Sequence, residues 1–263
     1  MSQTPDFVQE SRSQLELRIA QSAQDLRGAG RLRYRVFVEE LGGTGPGVDH
    51  DARIERDDFD AYTDQLILVD PSRDPAEGDH VVGVYRLMRP EQFARAGRYY
   101  SDTEYDLSPL LASERRLLEL GRSCVDQAFR GGGAMFQLWQ GLAAYVQRHE
   151  IEILFGVASF HGTDPQALAQ PLSHLHHAHL APADLRPKAR AFQRMDLLAQ
   201  DKIDRPAAMK ETPSLIKAYL RLGGMVGEGA FIDRDFNTVD VCLVLDTARM
   251  SAKHRAFYTK QRS

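Results

Sequence analysis

The apolar positions of the chain recur with two different periods, and their order predicts an α/β fold. Residues 15–20 alternate apolar and charged side chains, which is typical of a strand. Residues 23–41 place Leu26, Leu32 and Val36 near helical spacing. Apolar runs predict further strands at residues 65–69, 81–88, 117–125, 151–157, 225–232 and 239–245, and further helices at residues 166–179 and 206–222. This order predicts one mixed sheet flanked by helices.

The segments between these runs add one supersecondary unit. A strand at 117–125 is followed by glycines, a helix that runs to about residue 148, and a strand at 151–157. This succession predicts a βαβ unit. Residues 42–60, rich in Gly and Asp, are predicted to form a loop, and residues 90–113 are predicted to be polar and irregular.

Composition narrows the class of protein. The 263 residues are predicted to form a single domain, 1–263, with an enlarged C-terminal half. No apolar stretch approaches the roughly 20 residues that span a bilayer, and residues 1–14 lack the pattern of a secretory signal. Cys124 and Cys242 lie in apolar runs, which favours buried thiols in a reducing, cytoplasmic compartment. The net charge of -4 argues against non-specific binding of nucleic acid.

A glycine-rich turn before the predicted helix is a candidate anion site. Residues 130–133 read Arg-Gly-Gly-Gly and present backbone N–H groups at a helix N-terminus, where the helix dipole favours a phosphate. The spacing fits neither the P-loop nor the dinucleotide fingerprint. A tight turn without a ligand is the alternative interpretation.

Charged residues at two places suggest a polar site. Residues 55–60 carry four carboxylates, which could hold an ammonium group or form a solvated acidic loop. Glu119 and Arg122 lie inside an apolar strand, where charges are costly unless they are paired or functional. Strand alternation places them on opposite faces unless a bulge intervenes. A structural ion pair with Arg86 or Asp57 is the alternative to a site role.

Histidines and basic residues are candidates for binding a metal or a partner. Four histidines lie on one predicted helix, and His174 and His177 have a spacing that could ligate zinc. No second group of Cys or His accompanies them, so we expect no metal. The basic segments 186–194 and 249–262 could dock an acidic carrier protein or could simply be solvated.

Spaced residues across the chain resemble the acyl-homoserine-lactone synthases of the GNAT-like acyltransferase superfamily. That pattern has an Arg and a Phe in the first helix, a Glu-x-Asp-x-x-Asp loop, an Arg late in a strand and a Glu-x-x-Arg in the central strand. The matching residues are Arg33, Phe37, Glu55, Asp57, Asp60, Arg86, Glu119 and Arg122. The Trp of that pattern falls at Gly43, and this departure argues against lactone synthesis.

Longer runs resemble the bacterial N-acyltransferases that form ornithine lipids. The resembling stretches are residues 33–42, 118–125, 138–142 and 227–233. The resemblance covers nearly the whole chain and implies a GNAT-like fold. It implies transfer of a 3-hydroxyacyl group from acyl carrier protein to the α-amine of ornithine, which gives a lyso-ornithine lipid.

The resemblance also implies roles for individual residues. Glu119 is the expected general base that deprotonates the substrate amine. Arg33, Arg86 and Arg122 are candidates for binding the substrate carboxylate, and Phe37 joins the substrate site. The acids Glu55, Asp57 and Asp60 either face the side-chain ammonium of the substrate or anchor the three arginines.

The donor is expected to lie beside the central strand. Its pantetheine arm would follow the strand end at Cys124 and Val125, and a backbone N–H near Val125 would stabilise the oxyanion. The phosphate would meet the last four donor residues, which are Arg130, Gly131, Gly132 and Gly133. We expect no cofactor other than the 4′-phosphopantetheine thioester of acyl carrier protein.

The sequence therefore predicts a cytoplasmic N-acyltransferase whose partners are acyl carrier protein and an amino acid, with a peripheral contact at the inner membrane. Three alternatives stay open. One is the same reaction on glutamine or another amino acid, and a second is a homoserine-lactone signal synthase. The third is an inactive module that binds carrier protein or lipid.

Overall fold

The computed structural model describes residues 14–131 and 133–250. The strands are β1 (Glu16–Ile19), β2 (Val48–Asp49), β3 (Ile54–Glu55), β4 (Asp64–Val69), β5 (Val81–Met88), β6 (Tyr105–Asp106), β7 (Leu117–Val125), β8 (Ile153–His161), β9 (Lys188–Ala189), β10 (Met225–Val226), β11 (Phe231–Asp233) and β12 (Thr238–Asp246). The α-helices are α1 (Ala23–Arg33), α2 (Pro90–Ala96), α3 (Ser108–Ala112), α4 (Ala134–Arg148), α5 (Ala169–His179), α6 (Arg205–Glu211) and α7 (Ser214–Arg221).

The central sheet has the strand order β1-β4-β5-β7-β8-β12-β10, and β11 also pairs with β12. Among these described strands, β7 and β8 pair in parallel, and the other pairs are antiparallel. Helix α4 connects the two parallel strands, so the predicted mixed sheet and the βαβ unit are confirmed.

Apolar residues cover both faces of this sheet. On one face, α1 packs on β4 and β5 through Leu32 and Ile67. The same face carries a second cluster farther along the sheet, in which Tyr99 and Tyr105 pack on Phe155. The opposite face is covered by α4, α5 and α7. Buried residues of these helices pack against the strand residues of that face and form the largest hydrophobic cluster with them. This is the flanked sheet that the apolar pattern predicts.

The prediction that residues 90–113 are irregular was wrong. They contain α2, a 3₁₀ turn at Tyr100–Thr103, β6 and α3. Helix α2 has Pro90 in its first turn and ends at Gly97, which has a left-handed backbone. Both helices are too short, at 7 and 5 residues, for an apolar period to show in the sequence.

Two other predicted elements are interrupted. The predicted helix at 206–222 is split into α6 and α7 at Pro213, which lacks the N–H that a helix interior needs. The predicted strand at 225–232 divides into β10 and β11, which both pair with β12. The predicted loop at 42–60 contains the short hairpin of β2 and β3.

Both cysteines are free and buried, as the sequence predicts. Within the described residues, no helix is long and apolar enough to cross a bilayer. Residues 1–13 and most of the basic segment 249–262 lie outside the described part of the chain.

Candidate active site

The parallel strands β7 and β8 pair over only part of their length. The register joins residues 117–119 to residues 153–155, although each strand has nine residues. Beyond this point β7 pairs with β5, and β8 stays paired with β12 as far as residue 161. The two strands therefore diverge, and a cavity of about 250 Å³ opens between them.

A β-bulge contributes to this divergence. Gly121 pairs with Arg86 and Cys124 with Val84, so two residues of β7 oppose one residue of β5. Arg122 lies in the bulge with φ of 50°, in the left-handed region. The bulge turns Arg122 towards Asp57, a carboxylate that Arg86 also contacts. The bulge that would change the strand alternation between Glu119 and Arg122 is therefore present.

The cavity crosses the sheet from one face to the other. Leu154 and Ala158 of β8 belong to the cluster under α4, whereas Phe155 belongs to the cluster on the opposite face. All three line the cavity, together with Ser159. Because side chains alternate along a strand, a cavity that reaches both sets of residues passes through the gap beside β7.

The gap depends on a close approach at Gly156. A Cβ atom at this position would lie 2.1 Å from the carbonyl oxygen of Leu120. Such a contact is impossible without a backbone shift, so only glycine fits where the two strands begin to separate.

Six charged residues of the motif pattern form a closed ring beside the cavity. Each arginine contacts two carboxylates and each carboxylate contacts two arginines. Arg33 pairs with Glu55 and with Asp60 at 2.7 Å, Arg86 with Asp60 at 3.2 Å and Asp57 at 2.6 Å, and Arg122 with Asp57 and Glu55 at 3.1 Å each. The acids therefore anchor the arginines, which is the second of the two roles that the sequence left open.

The ring keeps its members charged although they are largely buried. Burial opposes ionisation, but Arg33 and Arg122 lower the pKa of Glu55. In the same way Arg33 and Arg86 outweigh burial and lower the pKa of Asp60. Three cations and three anions balance, so the ring as a whole carries no net charge.

Local backbone geometry places two of the ring acids. Asp57 caps the short 3₁₀ turn Asp58–Ala61 by accepting the N–H of Phe59 at 3.0 Å. In return the N–H of Asp57 donates to the carboxylate of Asp60 at 3.1 Å. This reciprocal cap fixes both carboxylates against the arginines, and it explains the three-residue spacing between them.

The structure brings two of the predicted substrate residues to the cavity wall. Phe37 and Arg122 line it, whereas the other five members of the predicted set lie in the ring behind it. The Arg122 guanidinium lies 4.6 Å from the ring of Tyr100 and 5.2 Å from that of Phe236. Phe37 lies on a π-helical extension of α1, Tyr34–Glu40, a geometry found often at functional sites.

Gly43 is the position at which the resembling synthases have Trp, and the space next to it is already occupied. A Cβ atom on Gly43 would lie 2.9 Å from the ring of Phe236. Phe236 itself lines the cavity. The aromatic ring at this side of the site therefore comes from the loop before β12 and leaves little space for a side chain at position 43.

Glu119 is buried behind the cavity wall. Its two carboxylate oxygens accept backbone N–H groups of Tyr100 at 3.0 Å and Ser101 at 2.6 Å. Burial raises the pKa of Glu119, and the hydrogen bonds from Ser101 and Tyr100 and the charge of Arg86 oppose that shift. Glu119 does not line the cavity, and its role as general base stays a prediction.

The predicted donor residues lie at the end of β7 and the start of α4. Arg130 donates from Nε to the Val125 carbonyl at 2.9 Å. Gly131 and Gly133 have positive φ, 79° and 85°, which the turn into α4 requires. The residue at the N-cap of α4 is Gly133, which has no side chain to cap the first turn.

Cys124 and Gly132 complete the predicted donor residues. Burial raises the pKa of the Cys124 thiol to about 12, so this side chain is an inert packing group. Gly132 lies outside the described residues. The binding of a donor by these segments stays a prediction.

Sequence reasoning missed an acidic cluster in the cavity, which we call the acidic triad. It consists of Glu104, Asp233 and Asp240, which all line the cavity. One carboxylate oxygen of each lies within 4.8 Å of the others. A usable signal was present at Asp240, because a carboxylate inside the apolar strand β12 is costly unless it has a function.

The triad is strongly perturbed. Burial, followed by the charges of Asp240 and Asp233, raises the pKa of Glu104 well above its usual range. Burial also raises the pKa of Asp240 to about 6. Within the described residues the triad is the one group of His, Cys, Asp and Glu close enough to hold a cation, and it includes no histidine of α5.

Sequence comparisons with known proteins find acyltransferases. A family profile described as an acetyltransferase (GNAT) domain matches residues 32–140. An L-ornithine N(alpha)-acyltransferase of Rhodobacter capsulatus is 62% identical over 246 residues, which cover 94% of this chain and 95% of that protein.

Solved structures resemble the chain at much lower identity. FeeM, an N-acyl amino acid synthase from uncultured soil microbes, has a TM-score of 0.53 and 10% identity, over 90% of this chain and 94% of its own. The AHL synthase LasI has a TM-score of 0.50 and 16% identity, over 95% of this chain and 100% of its own. At such identities the likeness shows a shared fold and nothing more.

Proposed function

We propose, since this chain belongs to the L-ornithine N(alpha)-acyltransferase family, that it transfers a 3-hydroxyacyl group from acyl carrier protein to the α-amine of ornithine. The product is a lyso-ornithine lipid. The observation that carries the proposal is the 62% identity, over 94% of this chain, to an L-ornithine N(alpha)-acyltransferase. The chain is an N-acyltransferase with a GNAT-like fold, and its cavity offers separate surfaces for an apolar chain and a charged amino acid.

The apolar part of the cavity suits the acyl chain. On the α4 side of the sheet it is lined by Leu120, Leu154, Ala158, Leu215, Leu243 and Leu245. Burying methylene groups there is favourable by about 0.8 kcal/mol for each CH₂. The thioester then lies in the gap between β7 and β8, where the cavity crosses the sheet.

The reaction needs a free amine. The α-ammonium of ornithine gives up a proton, the amine nitrogen attacks the thioester carbonyl, and the carbon–sulfur bond breaks. The carrier thiolate takes up a proton and leaves as a thiol, while an amide remains. Glu119 is the proposed base, and a water molecule between the amine and its buried carboxylate would carry the proton.

The substrate carboxylate is proposed to bind Arg122. This is the guanidinium of the ring that reaches the cavity, and its position is fixed by Glu55 and Asp57. A guanidinium held in this way offers its remaining N–H groups without losing side-chain entropy on binding. The phosphate of the donor is proposed to bind the uncapped N-terminus of α4.

The product is amphiphilic, so the proposal includes a peripheral contact with the inner membrane from the cytoplasmic side. Large apolar side chains that are exposed include Leu41 at 40% and Leu111 at 43%. Such residues bind a lipid surface weakly and reversibly, which suits release of a lipid product.

Product analysis tests the proposal directly. Purified protein is incubated with 3-hydroxyacyl carrier protein, or with the matching coenzyme A thioester, and a mixture of free amino acids. We expect mass spectrometry to find lyso-ornithine lipid with the carrier-protein donor. An acylated glutamine would contradict the acceptor, faster turnover with coenzyme A would contradict the donor, and free thiol without amide would contradict acyl transfer.

The acyl site predicts a change in chain-length preference. Ala158→Leu should fill part of the cavity and lower kcat/KM for a 16-carbon donor about 10-fold or more, since overpacking costs about 1–3 kcal/mol. Short donors should be affected much less. The control is Ala144→Leu, an exposed position on α4. Equal losses for short and long donors would contradict this location of the acyl chain.

A further inference from the structure

The charges around the cavity do not balance. The ring of three arginines and three carboxylates is neutral, and its Arg122 is already paired with Glu55 and Asp57. The acidic triad adds three carboxylates to the same cavity. Arg122 lowers the pKa of Glu104 and Asp240 only as a minor influence beside burial, which raises both. A ligand that supplies positive charge would offset this effect of burial and favour the ionised carboxylates.

Two carboxylate oxygens of the triad have no hydrogen-bond partner among the described residues. Glu104 and Asp240 are each only 3% exposed, and their atoms Oε2 and Oδ1 have no hydrogen-bond partner. Both residues line the cavity. Buried carboxylate oxygens are almost always hydrogen-bonded, and an N–H donor of a ligand in the cavity would satisfy both of these oxygens.

We propose that Glu104, Asp233 and Asp240 bind the side-chain ammonium of the acceptor amino acid and so decide which of its two amines is acylated. The proposal rests on the proposed function, which supplies a diamino acid as the acceptor. An ammonium has three N–H donors, and the triad presents one carboxylate oxygen from each of three residues within 4.8 Å.

The chemistry favours the side-chain amine over the α-amine. Carboxylates near an amine raise its pKa and keep it protonated, and a protonated amine cannot attack a thioester. Three carboxylates would hinder the nitrogen that must react, but they protect the nitrogen that must not. The triad also lies on the face of the sheet opposite the apolar surface of the cavity, away from the proposed acyl chain.

The test compares two acceptors that differ only in the side-chain amine. L-ornithine and L-norvaline are assayed with the wild-type protein and with Glu104→Gln and Asp240→Asn. We expect each variant to raise KM for ornithine by about 10–100-fold, because hydrogen bonds to a charged group are lost. For norvaline, kcat/KM should change less than about 3-fold. The charge-matched control is Asp201→Asn, an exposed position.

Regiochemistry gives a second readout. The wild-type protein should acylate the α-amine, and the two triad variants should yield a measurable share of side-chain amide by tandem mass spectrometry. Equal losses of activity on ornithine and norvaline would overturn the proposal, because the triad would then serve the α-amine. Unchanged kinetics on ornithine would overturn it as well.

Calorimetry separates this proposal from the proposed function. Ornithine and norvaline are titrated into the protein without a donor, which requires no turnover. Tighter binding of ornithine that is lost in Asp240→Asn would support the triad even if no acyl transfer occurred. Equal binding of the two amino acids would overturn it, and so would activity that depends on added Mg²⁺ or Ca²⁺ and is abolished by a chelator.

Discussion

Arg33→Met should lower the free energy of unfolding by about 3–5 kcal/mol, although methionine is apolar and of similar length. Arg33 is 1% exposed and pairs with Glu55 and Asp60 inside the charged ring. Its removal leaves two largely buried carboxylates with one arginine each and gives the ring a net negative charge. Denaturant unfolding measures the loss, and the melting temperature should fall by roughly 10 °C.

The pH dependence of this loss has a definite sign. The ring lowers the pKa of Glu55 and Asp60, so the stability they contribute is present above their unfolded pKa, near 4, and is lost as the pH falls through the lowered folded-state pKa. The deficit of Arg33→Met should therefore shrink below about pH 4, where the carboxylates of the variant are protonated.

A matched control separates this effect from the general loss of an arginine. Arg53 pairs with Glu39 at the surface, where the side chain of Arg53 is 55% exposed. Arg53→Met should cost less than about 1 kcal/mol. A loss of similar size for both variants would contradict the structural role of the ring and would favour the predicted role of Arg33 in substrate binding.

The strands that carry the site could be predicted well from sequence. Strands β5 and β7 have the bounds that their apolar runs predict. Most of their residues are buried, so each strand is rich in apolar residues and ends at a polar segment. The βαβ unit followed from the same runs and the glycines between them.

The paths between strands were harder to predict. Helices α2 and α3 are too short to show a period, and α7 is separated from α6 by one proline. The segment predicted as irregular supplies Tyr100 and Glu104 to the cavity. Such residues are found only when the chain is folded, because their positions depend on the packing of loops against the sheet.

The spacing of the motif residues identifies them as a set and does not predict the role of each residue. The sequence identified Glu55, Asp57 and Asp60 as a set and left two roles open. Their partners lie on α1, β5 and β7, far away in sequence, and no local rule decides whether an acid meets an arginine or a ligand. The capping geometry at Asp57 and the bulge at Arg122 determine the outcome.

The neutral ring and the acidic triad lie at the same cavity, and they are proposed to bind different ends of the amino acid. The ring fixes Arg122 without adding net charge, so it can present a cation to a carboxylate. The triad places three carboxyl groups around the remaining space, where a cationic group would favour their ionised forms. Under the proposed function, an amino acid with a cationic side chain would be oriented at both ends, with its α-amine facing the gap between β7 and β8.

Glu119→Gln should lower kcat by about 10²-fold or more and should leave the protein folded, since a general base contributes about 10²–10⁴-fold. Glutamine keeps one oxygen that can accept a backbone N–H from the turn at Tyr100 and Ser101. It places a donor where the second oxygen was, which costs about 1–3 kcal/mol. Steady-state kinetics and thermal unfolding measure the two effects separately.

The pH profile distinguishes a base from a residue that only positions the turn. Burial raises the pKa of Glu119, so in the wild-type protein kcat/KM should rise with pH through that raised pKa, where the carboxylate becomes available as a base. This limb should disappear in Glu119→Gln. The limb should persist in Glu104→Gln and Asp240→Asn. These two variants are the controls, because burial raises the pKa of both of these acids too.

Each result has a different physical meaning. A limb that persists in Glu119→Gln with a higher KM would show that Glu119 acts through Tyr100, whose ring lies against Arg122. Tyr100→Ala should then reproduce the rise in KM. Near-normal activity of Glu119→Gln would remove Glu119 from the mechanism and leave deprotonation of the amine to water in the gap. A lost limb with unchanged KM identifies Glu119 as the base, because only the proton acceptor has then been removed.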